Sequence, residues 1–471
     1  MDDSGGFSGV VRISNVSDFI APSQACIIPL KTNTPEEQNQ LVGVRSKKDD
    51  KEKKTGVKVS ISLADCLACS GCITSAETVL VEEQSMTRAL QYLRGETAGS
   101  FHIGVVTVSP ASLASIAASR GLSMQEAAAL VTQFFLDKGA SLILDANLGQ
   151  VYALKETWNE LEGRLRKKEK APPLLVSACP GFVCYAEKSH GQLLVPLLAR
   201  AKSLQGVMGL LVREHLTKLL AQQNGSIVVS PSVYHVAIMP CFDRKLEAAR
   251  AENASDDEMR HVDCVVGTAE VNDAISEYLE EKEKEEKMEE ENGIVNGIPR
   301  ELTAFMRGEL VGLPGNVSGG YVEYVIDRWK EQFGGGKECR IEEKKPSSNL
   351  DVIKVYAEDE SIRPLVVARL YGFRNIQNLV RKLKTRKDQV DYDIVEVMAC
   401  PSGCANGGGQ IREKTTEERM NISKKVEQLY SSLERGGMNE SEMERWRHTI
   451  QQEKLWAQFR PIQASNSTLN W

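Results

Sequence analysis

Residues 396–410 read EVMACPSGCANGGGQ, in which two cysteines, Cys400 and Cys404, stand just before a run of three glycines. The segment continues an apolar stretch with the pattern of a buried strand, so both thiols are predicted where a strand ends. Taken alone, the pair is compatible with a structural, a redox-active or a metal-binding role. The positions of the other cysteines, eleven in all, decide between these roles.

The bulk composition indicates a globular protein of the cytosol. The 471 residues are 41% hydrophobic, enough for sizeable cores, and a formal net charge of -7 does not suggest a nucleic-acid or membrane-surface binder. No segment has the form of a signal peptide or reaches the ~20 apolar residues of a membrane span. We therefore expect a cytosolic location, with no membrane and no nucleic acid as partner. In that reducing compartment, clustered cysteines favour metal sites or catalysis over disulfides.

Short apolar segments alternate with helical patterns along most of the chain, which predicts an α/β fold. Strands are predicted at 104–110, 141–145, 173–178, 233–239 and 393–399. A helix is predicted over 123–140, where Ser123 and Glu126 have the spacing of a capping box.

Two charge runs, at 45–56 and 277–293, interrupt this pattern and are interpreted as solvated linkers or exposed helix. The predicted order is an N-terminal segment with clustered cysteines, a first α/β lobe, a charged linker, a second α/β lobe and a helical C-terminal region. Their bounds are 1–85, 86–275, 276–300, 301–412 and 413–471.

A first group of cysteines lies near the N-terminus. DCLACSGC places Cys66, Cys69 and Cys72 in a C-x2-C-x2-C run, and three thiolates at that spacing suit three irons of a [4Fe-4S] cubane. Cys26 is the only upstream candidate for the fourth ligand, and a loop of that length closes at little extra entropic cost. A zinc site is the alternative, although such sites prefer two C-x2-C pairs.

A second group follows the predicted strands. Cys179 comes after PLLVSA, Cys241 after VAIMP, and Cys400 after DIVEVMA, with Cys404 four residues later. Ligands of open α/β sheets gather at the carboxyl ends of strands, so these four thiols are predicted to form a second site. The glycines of 403–409 let backbone amides approach inorganic sulfides.

The remaining cysteines receive ordinary structural interpretations. Cys264 and Cys184 are predicted to be small packing residues of the core. Cys339, close after a glycine run, is predicted to be a surface thiol.

Several motifs together resemble a known family. SACPGFVCYAEK, MPCFDRK and VEVMACPSGCANGGGQ are similar to the three active-site signatures of iron-only hydrogenases, and SGGYVEYVI at 318–326 resembles the glycine-rich segment between the last two. The resemblance covers roughly residues 60–412. Within that superfamily, the short N-terminal run, Cys26 and ACPSGCANGGGQ most resemble the NARF-like family of hydrogenase-like cytosolic iron-sulfur assembly factors, related to the prelamin A recognition factor.

The resemblance implies an α/β, two-lobed fold like that of iron-only hydrogenases, with a small ferredoxin-like [4Fe-4S] segment before it and a helical region after it. It also implies two [4Fe-4S] clusters. The N-terminal cluster would be held by Cys26, Cys66, Cys69 and Cys72, and the interior cluster, between the lobes, by Cys179, Cys241, Cys400 and Cys404.

Two departures from the hydrogenase pattern argue against catalysis. Active hydrogenases have a cysteine just before the position of Cys179, which passes protons to a di-iron unit, and this chain has Ala178 there. They also have a lysine that binds a ligand of the di-iron unit where this chain has Arg244, and arginine does not replace lysine at a fitted site. We therefore expect no catalytic residues and a cubane alone at the interior site.

The last three residues, Leu469, Asn470 and Trp471, resemble the C-terminal tripeptide by which clients and adaptors dock on the late cytosolic targeting complex. A terminal Trp offers a large apolar anchor beside a carboxylate. An accidental terminal aromatic residue is the alternative, because Asn stands where an acid or serine is usual.

The expected function is a non-catalytic link between early cluster scaffold proteins and this targeting complex, which includes a WD-repeat propeller protein. The resemblance implies a cytoplasmic location and leaves a second, nuclear location open. A working iron-only hydrogenase is one alternative. The other alternative is a binding protein for a prelamin-type tail, whose clusters only stabilise the fold.

Overall fold

The computed structural model describes residues 81–96, 103–167, 171–219, 232–254, 259–283, 300, 302–334, 339–347, 349–385, 390–412, 415–436 and 450–462. The predicted ligands Cys26, Cys66, Cys69 and Cys72, and the tripeptide 469–471, lie outside the described residues. Within the described ranges, no helix is long and apolar enough to cross a bilayer.

The strands alternate with helices through most of the described chain. The strands are β1 (Ile103–Val108), β2 (Leu142–Asp145), β3 (Leu174–Val176), β4 (Val233–Met239), β5 (Cys264–Gly267), β6 (Arg340–Ser347), β7 (Leu350–Tyr356), β8 (Leu365–Tyr371) and β9 (Ile394–Met398). The helices are α1 (Met86–Leu93), α2 (Pro110–Arg120), α3 (Met124–Asp137), α4 (Asn147–Leu165), α5 (Pro180–Leu194), α6 (Leu204–Leu210), α7 (Asp243–Ala248), α8 (Thr268–Lys282), α9 (Tyr321–Phe333), α10 (Phe373–Thr385) and α11 (Thr416–Ser431).

The first sheet is parallel, with the strand order β2-β1-β4-β5. All seven residues of β4 are buried, which is typical of a parallel strand covered by helices on both faces. Successive side chains of β1 enter different cores: Val105 packs on one face and Val106 on the other. This alternation places the sheet in the middle of three layers.

The second sheet has the strand order β3-β9-β8-β7-β6, in which β3, β9 and β8 are parallel and β7 and β6 are antiparallel. β3 falls inside the residues predicted as the first lobe, yet Leu174 pairs with Ile394 of β9. The sheets are therefore not built from successive halves of the chain. This pairing sets the loop after β3 beside the loop after β9.

Local sequence explains where the main helices begin. Ser123 and Glu126 form the predicted capping box of α3, with both reciprocal hydrogen bonds in place. The predicted strand 104–110 ends earlier than expected, because Ser109 caps α2 and Pro110 is its first residue. The run 277–293 is helical in α8 as far as Lys282.

The C-terminal region is only partly helical. α11 follows the prediction, with its own capping box at Thr415 and Glu418. Residues 450–462, here named the C-terminal strap, instead form a short 3-10 turn, Gln452–Leu455, and an extended segment. The helical prediction is wrong for the strap, because its backbone amides bond to the body of the protein: Ala457 N–H donates to the Arg200 carbonyl at 2.6 Å.

Candidate metal centre

Each cysteine of the predicted interior site follows a strand closely. Cys179 is the N-cap residue of α5, just after β3, and Cys241 lies two residues after β4. Cys400 lies two residues after β9, and Cys404 lies in the following 3-10 turn, Gly403–Asn406. Both sheets thus contribute thiols from the carboxyl ends of their strands, as the sequence predicts.

Cys179 is tied to the loop that carries Cys400. The Cys179 side chain is 8% exposed, and its Sγ accepts hydrogen bonds from the backbone N–H groups of Ala399 and Phe182. Burial raises the pKa of the Cys179 thiol, and nearby Asp243 raises it further, while the two amides lower it. The amide of Ala399 belongs to the residue just before Cys400, so the two loops meet at this sulfur.

Cys404 lies close to Cys179. Burial raises the pKa of the Cys404 thiol to about 12, the neighbouring Cys179 adds to this, and Arg244 and the Ser318 hydroxyl lower it. The backbone N–H of Cys404 also donates to Ser318 Oγ at 2.9 Å. Ser318 thus holds both the backbone and the sulfur of this cysteine.

Glycines allow the loop after Cys404 to press against Cys241. Gly409 N–H donates to the Pro240 carbonyl at 2.9 Å, and a Cβ added to Gly409 would lie 3.2 Å from both N and Cα of Cys241. Gly407 likewise has no room for a Cβ against the Pro240 carbonyl. The glycine run therefore forms a close-fitting wall, as its sequence indicates.

Arg244 lies fully inside this site. Its side chain is 2% exposed, and its guanidinium donates to Glu247 Oε2 at 2.6 Å and to Ser203 Oγ at 2.8 Å. Burial alone lowers the pKa of Arg244, but Glu247, Cys241 and Cys404 together raise it above its ordinary value. The guanidinium is therefore charged and lies within electrostatic reach of two predicted ligands.

The donor set of the predicted site is four cysteine thiols, which is the ligand set of an iron-sulfur cubane and is also found in four-cysteine zinc sites. Among the described residues, no three His, Cys, Asp or Glu side chains converge closely enough to bind one metal ion. Without a bound metal the buried thiols are protonated, and binding to a metal would release those protons.

A small cavity lies beside Cys179. It has a volume of about 40 Å³ and is lined by Ala178, Lys202, Ser203, Glu247 and, from the strap, Phe459. Such a volume holds a few water molecules.

The other described cysteines lie outside this site. Cys264 is 1% exposed and its Sγ donates to the Ser85 carbonyl at 3.7 Å, which agrees with a packing role. Cys184 is half-buried. The prediction that Cys339 is a surface thiol is wrong: it is half-buried against the core of the second sheet, and a Cβ on Gly334 would lie 2.6 Å from its Sγ.

Three residues of the site were not singled out from the sequence. Ser318 contacts Cys404, and Glu247 and Ser203 bind Arg244. The contact of Glu247 with Arg244 could have been predicted from the sequence, because the two residues are three apart and lie on the same side of α7. No local pattern predicts the contact of Ser203 with Arg244, since 41 residues separate them.

Comparison with known proteins identifies the fold. The family described as "Iron only hydrogenase large subunit, C-terminal domain" matches residues 102–408. Among solved structures, an apo [FeFe]-hydrogenase from Chlamydomonas reinhardtii is 23% identical, with 80% of this chain and 98% of that chain covered and a TM-score of 0.60. At that identity the likeness shows the fold alone, and it confirms the predicted hydrogenase-like α/β fold.

Full-length relatives carry more specific names. A probable cytosolic Fe-S cluster assembly factor of Caenorhabditis elegans is 43% identical over 100% of both chains. Cytosolic iron-sulfur assembly component 3 of Rattus norvegicus is 36% identical over 98% of both, and Protein NAR1 of Arabidopsis thaliana is 37% identical over 90% of this chain and 88% of its own. This chain therefore belongs to the NARF-like family of cytosolic iron-sulfur cluster assembly factors, which share the iron-only hydrogenase fold.

Proposed function

We propose that this chain is a non-catalytic [4Fe-4S] protein of cytosolic iron-sulfur protein assembly. It links the early scaffold proteins, which build clusters, to the late targeting complex, which inserts them into recipient proteins. Its full-length relatives are named as factors of this assembly. The observation that supports the proposal is that four cysteines follow the carboxyl ends of strands from both sheets, with Arg244 within electrostatic reach of three of them.

The chain holds two clusters in this proposal. Cys179, Cys241, Cys400 and Cys404 hold the interior cluster, which supplies a one-electron redox centre when bound. Ser318 and the glycine wall orient its ligands and exclude water. The N-terminal cluster, on Cys26, Cys66, Cys69 and Cys72, is the labile or transferable one.

Two features of the interior site support a role without hydrogen chemistry. Ala178 carries no proton at the position next to Cys179, where a proton donor is required. The buried guanidinium of Arg244 stands where hydrogenases have the lysine that binds a ligand of the di-iron unit.

Partner binding is assigned to the end of the chain. Leu469, Asn470 and Trp471 dock on the WD-repeat propeller protein of the targeting complex, with the Trp471 ring as anchor and the terminal carboxylate as a second contact. This contact places the protein wherever the complex acts, in the cytosol and in the nucleus.

Anaerobic measurement of iron and sulfide tests the proposal directly. The reconstituted protein should bind about eight irons per chain with the Mössbauer spectrum of cubanes, and Cys66→Ser and Cys179→Ser should each lose up to about four. Cys66→Ala should empty its site more completely than Cys179→Ala, because the interior site is the more enclosed. Cys264→Ala, a buried cysteine outside the site, is the control and should keep all the iron.

Two results would contradict this function. Stoichiometric zinc in place of iron would exclude both cubanes. Hydrogen evolution from the dithionite-reduced protein, detected by gas chromatography, would show that Ala178 and Arg244 do not abolish catalysis.

A further inference from the structure

Helix α7, which begins two residues after Cys241, buries three consecutive charged residues. Asp243, Arg244 and Lys245 are 6%, 2% and 4% exposed. Burying charge is unfavourable unless a partner compensates it. Lys245 has such partners away from the cysteines, in Glu270 at 3.1 Å and the Gln84 carbonyl at 2.6 Å.

Arg244 differs from Lys245 in what surrounds it. Its backbone N–H donates to the Cys241 carbonyl at 3.4 Å, which keeps the start of α7 against the ligand loop. Its guanidinium is paired with Glu247 at 2.6 Å and interacts electrostatically with Cys241, Cys404 and Cys179. The cation is thus in contact with one carboxylate and within electrostatic reach of the thiols.

A cubane with four thiolates is an anion, and reduction by one electron makes it more negative. A fixed positive charge nearby stabilises the reduced state more than the oxidised state, and the effect is large where water is excluded. A carboxylate at similar distance acts in the opposite direction. Arg244 and Glu247 are both enclosed, since the Glu247 side chain is only 13% exposed.

We propose that Arg244 and Glu247 form a charge pair that sets the reduction potential of the interior cluster, Arg244 raising the potential and Glu247 lowering it. Arg244, which departs from the hydrogenase pattern, thereby has a function of its own at the interior site. The interior cluster accepts one electron from an external one-electron donor and so has a redox role besides stabilising the fold. This inference rests on the proposed function only in that the four cysteines hold a cubane.

The test is a redox titration followed by electron paramagnetic resonance, in full-length protein carrying Cys66→Ser so that the interior cluster is observed alone. Dithionite is the reductant. Arg244→Met should lower the midpoint potential, Glu247→Gln should raise it, and Arg244→Lys should stay near the parent. Lys245→Met removes an equally buried cation from the same helix but not from the site, and should leave the potential nearly unchanged.

A merely structural role for Arg244 predicts a different result. Its loss would then lower iron content or thermal stability without opposite shifts for the two partners. Unchanged potentials in Arg244→Met and Glu247→Gln, shifts in the same direction, or an equal shift in Lys245→Met would overturn the inference. If Arg244→Met does not fold, Glu247→Gln decides alone, and its potential must rise.

Iron content separates this inference from the function on which it rests. A parent variant that binds no iron refutes the interior cluster itself. A parent with about four irons and an unresponsive potential refutes only the role of the charge pair.

Discussion

Glu396 is a buried carboxylic acid in the middle of β9, four residues before Cys400. It has no exposed surface and accepts hydrogen bonds from the Tyr371 hydroxyl at 2.8 Å and from Val322 N–H at 3.1 Å. Burial raises the pKa of Glu396 to about 7, Glu323 adds to this, and Arg369 opposes it. The folded protein therefore holds a proton here at a pH where the unfolded chain has lost it.

This difference predicts a pH dependence of stability. A folded-state pKa above the unfolded value contributes stability that is complete below about pH 4.5 and is lost as the pH rises through about 7. Replacing Glu396 by Gln removes this loss, so Glu396→Gln should gain about 1–3 kcal/mol of unfolding free energy relative to the natural chain between pH 5 and pH 8.

Anaerobic urea unfolding at pH 5 and pH 8 measures the gain. The control is Glu343→Gln, which alters an exposed carboxylate on β6 and should have little effect on the free energy of unfolding. The explanation fails if the free-energy difference between Glu396→Gln and the natural chain is the same at both pH values.

Among the elements, the C-terminal strap closes the side of the molecule next to the interior site. Its Arg460 and Ile462 N–H groups donate to the side chain and the backbone carbonyl of Glu187, each at 3.0 Å. Glu187 is 4% exposed and also accepts from Arg250 at 2.7 and 2.9 Å. Phe459 of the strap lines the cavity beside Cys179, so the strap shields the interior site from solvent.

Gly191 of α5 provides a precise way to loosen the strap. A Cβ at this position would lie 2.5 Å from Pro461 Cβ and 2.7 Å from Pro461 Cα. Gly191→Ala should therefore displace the end of the strap at a cost of about 1–3 kcal/mol of unfolding free energy. Chymotrypsin should then cleave after Phe459 faster than in the natural chain.

Gly163 offers a matched control, because it lies in α4 with nothing within 4 Å of an added Cβ. Gly163→Ala should leave the cleavage rate unchanged and stabilise the helix by about 0.5–1 kcal/mol. Equal cleavage rates in the two variants would mean that Gly191 does not hold the strap.

Across the whole molecule, the proposed interior site draws its cysteines from both sheets. Cys241 follows a strand of the first sheet, while Cys179, Cys400 and Cys404 follow strands of the second. The proposed partner contact at 469–471 comes after the strap in sequence and shares no residue with this site. Cluster binding and partner binding should therefore be separable.

Removal of Trp471 tests that separation. Pull-down with the purified WD-repeat propeller protein should lose most of the bound chain, while the iron content stays at its full value. Trp471→Phe retains an aromatic anchor and should keep part of the binding. Undiminished binding after removal of Trp471 would refute the docking proposal, and a loss of iron would refute the separation of the two sites.

Local patterns predicted much of this structure. The apolar runs gave the strands at 142–145, 233–239 and 394–398, and Ser123 with Glu126 gave the start of α3. These features depend on residues that are close in sequence. The strap was misread as helix because its hydrogen bonds go to Arg200 and Glu187, which are far from it in the chain.

By itself the sequence determined the α/β class and the family, and it predicted four cysteines for an interior site, because strand ends and cysteine spacings are local properties. Only the tertiary structure decided that β3 pairs with β9, that Ser318 accepts from Cys404 N–H, and that Arg244 is buried with Glu247 within electrostatic reach of the thiols. These arrangements depend on which distant segments share a core, and on the burial that makes a charge effective. The two cysteines of EVMACPSGCANGGGQ and those after β3 and β4 could be predicted as ligands from the chain, but the position of Arg244 beside them is set by the fold.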